Sequence, residues 1–175
     1  ESLINFSKGD KSKQGLFYLV NLRKVIEEAI QLLTLGDIEP KVTFTADINP
    51  DMDVLGDYHQ LVQIFLNLLS NSRDASPLSS QVTIIAKRDS QNIRVTVNDS
   101  GTGIDQGLQS QLYEPFVTTK EPGQGTGLGL WIVFKLVKGL GADISISSPA
   151  ENSTCGTTVA LNFKAYTSDA VEDVS

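Results

Sequence analysis

Four glycines alternate with other residues across Gly123-Gln124-Gly125-Thr126-Gly127-Leu128-Gly129-Leu130, and the chain then enters the apolar run Trp131-Ile132-Val133-Phe134-Lys135-Leu136-Val137. This pattern calls for a loop that turns tightly or lies close to a ligand and opens into a packed helix. A helix start presents unpaired backbone N–H groups and a partial positive charge. Glycines allow positive φ and let a ligand approach the main chain. Together they make a cradle for an anion, most often phosphate. A flexible loop ahead of a core helix is the plainer reading of the same residues, and two other segments decide between them.

The chain has 175 residues, of which 40% are hydrophobic, enough for one globular domain with a real core. Its net charge of −7 argues against wrapping a nucleic-acid backbone. Cys155 is the only cysteine and His59 the only histidine, which excludes an internal disulfide and a multi-histidine metal site. No apolar run reaches transmembrane length and no signal peptide opens the chain. The first residue is Glu1 rather than Met, so a piece of a longer protein is expected, with any membrane anchor outside it.

Residues 1–14 read as the end of an upstream helix plus a linker, and 165–175 as an acidic tail. Leu16–Val20 reads as a short strand, with Asn21 capping the helix that follows. Leu22, Val25, Ile26, Ala29, Ile30 and Leu33 recur at helical spacing, and Gly36-Asp37 ends that helix. Val42–Ile48 alternates as a strand, and a brief strand follows near Met52–Leu55. A second helix spans about 57–74 with Asp57 as its cap and Pro77 beyond its end. Val82–Lys87 and Ile93–Val97 read as strands joined by a turn at 89–92. An irregular stretch covers 100–126, a third helix about 127–139, and the last two strands are Asp143–Ser148 and Thr157–Phe163. Adjacent strand pairs without strict βαβ alternation favour an α+β two-layer sandwich, its mixed sheet carrying about three main helices on one face.

At about 100° per residue, Gln60, Gln63, Asn67, Asn71 and Asp74 share one narrow stripe of the second helix, and apolar residues fill most of the rest. Asparagines at i and i+4 suit a hydrated magnesium ion and the phosphates it bridges. The same stripe also reads as a solvated edge, or as amides capping neighbouring loops. In Ile93-Arg94-Val95-Thr96-Val97-Asn98-Asp99-Ser100-Gly101-Thr102-Gly103-Ile104, the two-residue period puts Asp99 on the core face. A buried carboxylate needs a donor. The exocyclic amine of adenine is one, and guanine has an acceptor there instead; ordinary Asx-turn chemistry is the alternative. Leu112-Tyr113-Glu114-Pro115-Phe116-Val117-Thr118-Thr119-Lys120 has the composition of a lid, with Phe116 expected to pin it to the core and Lys120 the nearest cation to the phosphates. A surface loop whose lysine touches nothing fits these residues too.

Taken in order, these segments resemble the boxes of the ATP-binding domain of sensor histidine kinases. Asn67-Leu-Leu-Ser-Asn71-Ser-Arg-Asp74-Ala75 resembles the N box and Asp99-Ser-Gly101-Thr-Gly103 the G1 box. Glu114-Pro115-Phe116-Val-Thr118-Thr119-Lys120 is similar to the F box, and Gly123-Gln-Gly125-Thr-Gly127-Leu-Gly129-Leu to the G2 box. Gly156-Thr157-Thr158 matches the closing glycine motif. The Asn-Ser-Arg-Asp-Ala and Phe-Val-Thr-Thr-Lys variants resemble the nitrogen-regulation-type subgroup.

The resemblance implies the Bergerat ATP-binding fold over roughly residues 15–164. It implies Asp99 as adenine anchor, Asn71 as magnesium ligand, Asn67 near the phosphates and metal-bound water, and 117–126 as the ATP lid. Gly125, Thr126, Gly127, Leu128 and Gly129 would meet the phosphates. Asp74, Gly101, Gly103, Ile104, Phe116, Thr118, Thr119 and Lys120 complete the ATP-binding set, with Asn67, Asn71 and Lys120 closest to the chemistry. ATP and Mg2+ are the implied cofactors. The implied reaction carries the γ-phosphoryl group to a histidine of a dimerisation domain and on to the receiver domain of a response regulator, on the cytoplasmic side.

Two departures stand out. Asp74 occupies a position where many other subgroups have lysine, and Thr118 lies near their arginine, leaving Arg73 and Lys120 as nearby cations. His59 lacks the acidic residue and proline that follow an acceptor histidine and reads as a structural or cleft-edge residue. Ser2-Leu3-Ile4-Asn5-Phe6-Ser7 resembles the end of the dimerisation hairpin, so this piece is expected to bind ATP and to need an acceptor from elsewhere. A hydrolysing relative of the gyrase, mismatch-repair or chaperone type would place glutamate at position 67 to activate water, and asparagine is a poor base. A non-catalytic nucleotide-sensing module is the other alternative.

Overall fold

A computed structural model describes residues 17–37, 41–118, 126–151 and 153–166. Thr119, Lys120 and Gly125, the 1–14 linker and most of the acidic tail lie outside the described residues.

The elements are β1 (Tyr18–Asn21), α1 (Leu22–Thr34), β2 (Val42–Ile48), β3 (Asp53–Gly56), α2 (Tyr58–Ala75), β4 (Ser80–Arg88), β5 (Asn92–Asp99), a 3-10 helix (Gln106–Gln111), α3 (Gly129–Gly139), β6 (Asp143–Ser147) and β7 (Thr157–Lys164). Five strands form one sheet in the order β2-β4-β5-β7-β6, and β1 pairs with β3 in a separate ribbon. β2 runs parallel to β4; the other neighbours in the large sheet are antiparallel. The expected α+β sandwich with a mixed sheet is therefore the observed architecture.

The two-residue period of the strands and the 3.6-residue period of the helices meet in one core. Val82, Ile84, Ile93, Val95, Val97, Leu161 and Phe163 point inward from the sheet and are buried. They meet Leu22, Val25, Ile26 and Ala29 of α1, Leu61, Ile64, Phe65 and Leu68 of α2, and Val133 and Val137 of α3. α2 lies between α1 and α3 and packs on β4 and β5. The Tyr58 hydroxyl donates to Glu28, tying α2 to α1, and this bond pushes the Tyr58 pKa up to about 12.

Asp57 caps α2 as expected, its carboxylate accepting from the Gln60 N–H at 2.8 Å. Asn21 does not cap α1 with its side chain. Its amide instead donates to the Pro50 carbonyl (2.6 Å) and Asp53 Oδ1 (2.8 Å), fastening the start of α1 to the β2–β3 connection. α3 begins at Gly129, with Leu128 at the cap position, two residues later than expected.

Candidate functional site

β5 ends at Asp99, and its alternation buries Ile93, Val95, Val97 and Asp99 on one face while Arg94 stays exposed. Asp99 is 8% exposed. Its Oδ1 accepts the N–H of Gly101 at 2.9 Å and of Thr157 at 3.0 Å. The Ser72 side chain adds a third hydrogen bond. Burial pushes the carboxyl above its usual range, and these three donors only partly oppose that.

α2 supplies the adjoining wall. Its apolar face is buried, while Asn67 is half-buried and Asn71 and Asp74 are exposed, so the amide stripe faces outward as its spacing requires. The Asn67 Nδ2 donates to the Gln63 carbonyl at 2.9 Å. A Cβ placed on Gly129 would lie 3.3 Å from Asn67 Oδ1 and 3.8 Å from Asn71 Nδ2. The first residue of α3 thus stands against the two amides. On the other side, a Cβ on Gly101 would lie 2.8 Å from the Ala75 carbonyl oxygen, so the loop after Asp99 rests on the last turn of α2. From Asn67 to Ser72 the helix rises about 7.5 Å at 1.5 Å per residue. The buried carboxylate, the amide pair and the open end of a helix are therefore spaced along one element.

The segment ahead of the glycine-rich run corrects one expectation. Phe116 is not a core pin; it is 74% exposed. Its backbone is left-handed (φ 68°). What holds this segment is main chain: the Phe116 N–H donates to the Gly127 carbonyl at 3.0 Å. Gly127 has φ +66°, and a Cβ there would come within 2.5 Å of the Phe116 carbonyl carbon, so only glycine fits. The aromatic anchor is Tyr113, stacked on Phe134 of α3 at 4.6 Å between ring centroids. Thr118 is exposed, and Thr126 accepts the Leu128 N–H on its hydroxyl at 3.3 Å. Gly103 and Ile104 lie against the β6–β7 loop.

Among the described residues, the cations beside the Asn67–Asp74 stripe, Arg73 and Lys41, are engaged in structure. Arg73 donates to the Leu33 carbonyl of α1 at 3.2 Å and lies 3.7 Å from Asp74. Lys41 donates to the Asp74 carbonyl at 2.9 Å, at the negative end of α2. His59 is exposed on the first turn of α2, edge-on to Tyr58. Among the described residues no cluster of three His, Cys, Asp or Glu side chains could hold a metal, and no helix is long and apolar enough to cross a membrane.

The Ser72 hydrogen bond and the Tyr113–Phe134 stack have no counterpart among the sequence expectations, and Thr157, quoted there within the closing glycine motif, has a role at Asp99 that the motif does not state. Ser72 carried a usable signal: a hydroxyl on the apolar face of a helix needs a buried partner. Thr157 acts through its backbone N–H, which side-chain chemistry does not mark.

A family model described as "Histidine kinase-, DNA gyrase B-, and HSP90-like ATPase" matches residues 56–167. Sporulation kinase A of Bacillus subtilis (strain 168) is 35% identical over 136 residues, covering 77% of this chain and 22% of the relative. The sensory histidine kinase/phosphatase NtrB of Azospirillum brasilense is 33% identical over 145 residues, covering 74% of this chain and 36% of the relative. The chain thus spans only a minor part of both curated relatives. Among solved structures, the catalytic domain of histidine kinase ThkA superposes with a TM-score of 0.72 at 28% identity, covering 85% of this chain and 95% of that one.

Proposed function

Because this chain belongs to the family of histidine kinase-, DNA gyrase B- and HSP90-like ATPases, we propose that it binds Mg-ATP between the tip of β5 and the start of α3, as the catalytic part of a sensor histidine kinase. In the longer protein it delivers the γ-phosphoryl group to a histidine of a dimerisation domain, and the receiver domain of a response regulator then accepts the phosphate.

The observation that carries this reading is the placement of Asp99, Asn67, Asn71 and Gly129 along α2. Asp99 accepts the exocyclic amine of adenine. The free N–H groups at the start of α3 meet the phosphates, as helix N-termini do. Asn67 and Asn71 sit one turn apart and carry amide oxygens, donors that suit Mg2+ when water and phosphate supply the remaining ligands. Bound there, Mg2+ would neutralise charge on the phosphates. The chain's own part is positioning: it fixes the base, aligns the phosphate tail and leaves the γ-phosphorus open to an incoming nitrogen. The nitrogen–phosphorus bond forms as the bond to the ADP oxygen breaks, and ADP leaves with that electron pair.

Asn67 stands where a hydrolysing relative would need glutamate, which favours transfer to a side chain over attack by water. With Arg73 turned toward α1, we assign phosphate neutralisation to Mg2+, the α3 N-terminus and Lys120. The Asn-Ser-Arg-Asp-Ala and Phe-Val-Thr-Thr-Lys variants favour the nitrogen-regulation-type subgroup, and the domain would work on the cytoplasmic side of the membrane.

Mixing this chain with Mg-ATP labelled on the γ-phosphate and a matching dimerisation domain is expected to label a histidine of that domain. Release of free phosphate without phosphohistidine would replace this reading with a hydrolase. Absence of nucleotide binding would replace it with a non-enzymatic module.

A further inference from the structure

The Ser148 hydroxyl closes a ring around Asp99 that the proposed base site does not itself explain. Ser148 Oγ accepts the Ile104 N–H at 2.7 Å and donates to the Gly156 carbonyl at 3.0 Å. Gln109 Nε2 also donates to the Ser148 carbonyl at 3.1 Å. The hydroxyl thus joins two segments that flank the anchor. One is the loop running from Asp99 to Ile104; the other is the Gly156-Thr157 corner, whose Thr157 N–H donates to Asp99 Oδ1. The fit is close, since a Cβ on Gly103 would lie 2.7 Å from Ser148 Oγ. A hydroxyl has one proton to give and lone pairs to accept, and here both capacities are used on backbone groups.

We propose that Ser148 is a positioning residue for purine recognition: by joining Ile104 to Gly156 it fixes the loop that bounds the base site and the donor that orients the Asp99 carboxylate. The inference rests on Asp99 being the base anchor. Without the hydroxyl, the Ile104 N–H and the Gly156 carbonyl lose their shared partner. The loop from Gly101 to Ile104 is then free to move away from the β6–β7 corner. The Asp99 carboxyl loses a fixed direction, so discrimination between bases suffers more than attraction for phosphate.

The test measures Kd for Mg-ATP, ADP and GTP with Ser148→Ala and Ser148→Thr, beside wild type and Asp99→Asn. Ser148→Ala is expected to weaken ATP and ADP by the same factor, on the order of 10-fold, and to lower the preference for ATP over GTP. The ATP-to-ADP ratio should not change, because the phosphate end is untouched. Ser148→Thr keeps the hydroxyl and is expected to restore the preference. If Ser148→Ala does not fold, Ser148→Cys replaces it, since a thiol fills the same space but is a weak donor and a weak acceptor for the Gly156 carbonyl and the Ile104 N–H. Wild-type base preference in the folded variant tested would overturn the inference, as would equal losses for ATP and GTP. Retention of ATP by Asp99→Asn would instead overturn the assignment of the base anchor.

Discussion

Asp99→Asn is expected to raise the Kd for Mg-ATP by about 100-fold or more, while the domain stays folded with a melting temperature at pH 7 equal to or above that of wild type. Asp99 Oδ1 already accepts the N–H groups of Gly101 and Thr157. Asparagine would keep its oxygen there, because turning it round would set its amide against two donors. Its NH2 would then stand where the second carboxylate oxygen should receive the adenine amine, and donor would face donor. The stability expectation follows from the raised pKa of Asp99, caused first by burial. A carboxyl whose folded pKa lies above its unfolded value favours folding most when protonated, and that contribution fades as pH rises through the folded pKa. Above the ordinary carboxylate range the raised pKa therefore weakens the fold, and the neutral amide removes that burden. The advantage of Asp99→Asn should be largest at neutral pH and vanish below about pH 4, near the ordinary carboxylate pKa. Melting curves across the acid range and nucleotide titration at pH 7 check both halves.

Gly156→Ala is expected to lower stability by about 2–4 kcal/mol, a drop in melting temperature of roughly 5–15 °C for a chain of this size, and to abolish nucleotide binding as well. Gly156 has φ +81°, and a Cβ there would lie 2.1 Å from the Asp99 carbonyl oxygen. That neighbour is backbone in a central strand and cannot step aside, and alanine is strained at this φ. Relief requires separating the ends of β5 and β7, where Asp99 pairs with Thr157. The Thr157 N–H then leaves Asp99, so stability and base recognition fail together. Calorimetry and titration on the same sample would show whether they do.

The contrast between these two substitutions bears on what the sequence could disclose. Regular elements were legible where one local pattern sufficed. Val42–Ile48 alternates, and β2 has those bounds. Asp57 and Pro77 bracket a strongly apolar run, and α2 lies between them. The stripe from Asn67 to Asp74 and the inward face of Asp99 follow from periodicity alone. At Asn21 and Phe116 tertiary context overrides what the residue type favours locally. The Asn21 amide bonds to Pro50 and Asp53 across the chain rather than to the end of its own helix, and Phe116 stays exposed despite its apolar ring. Least legible were contacts between distant backbone groups. Thr157 reaches Asp99 across 58 positions, and Ser148 joins two loops through main chain. Such links depend on sheet register, which the motifs do not encode.

One side of α2 is expected to bind the whole nucleotide, base at Asp99 and phosphates at the start of α3. Backbone amide shifts recorded while a non-hydrolysable ATP analogue and Mg2+ are titrated in test this most directly. Gly101, Thr157 and Gly129 should shift together with a single Kd, and the same titration with ADP should reduce the change at Gly129 far more than at Thr157. The outer face of the sheet carries a separate concavity of about 350 Å3 lined by Lys87, Arg94, Thr96 and Glu151, and its amides should stay still. Shifts centred on that outer face, with Gly101, Thr157 and Gly129 unmoved, would contradict the account.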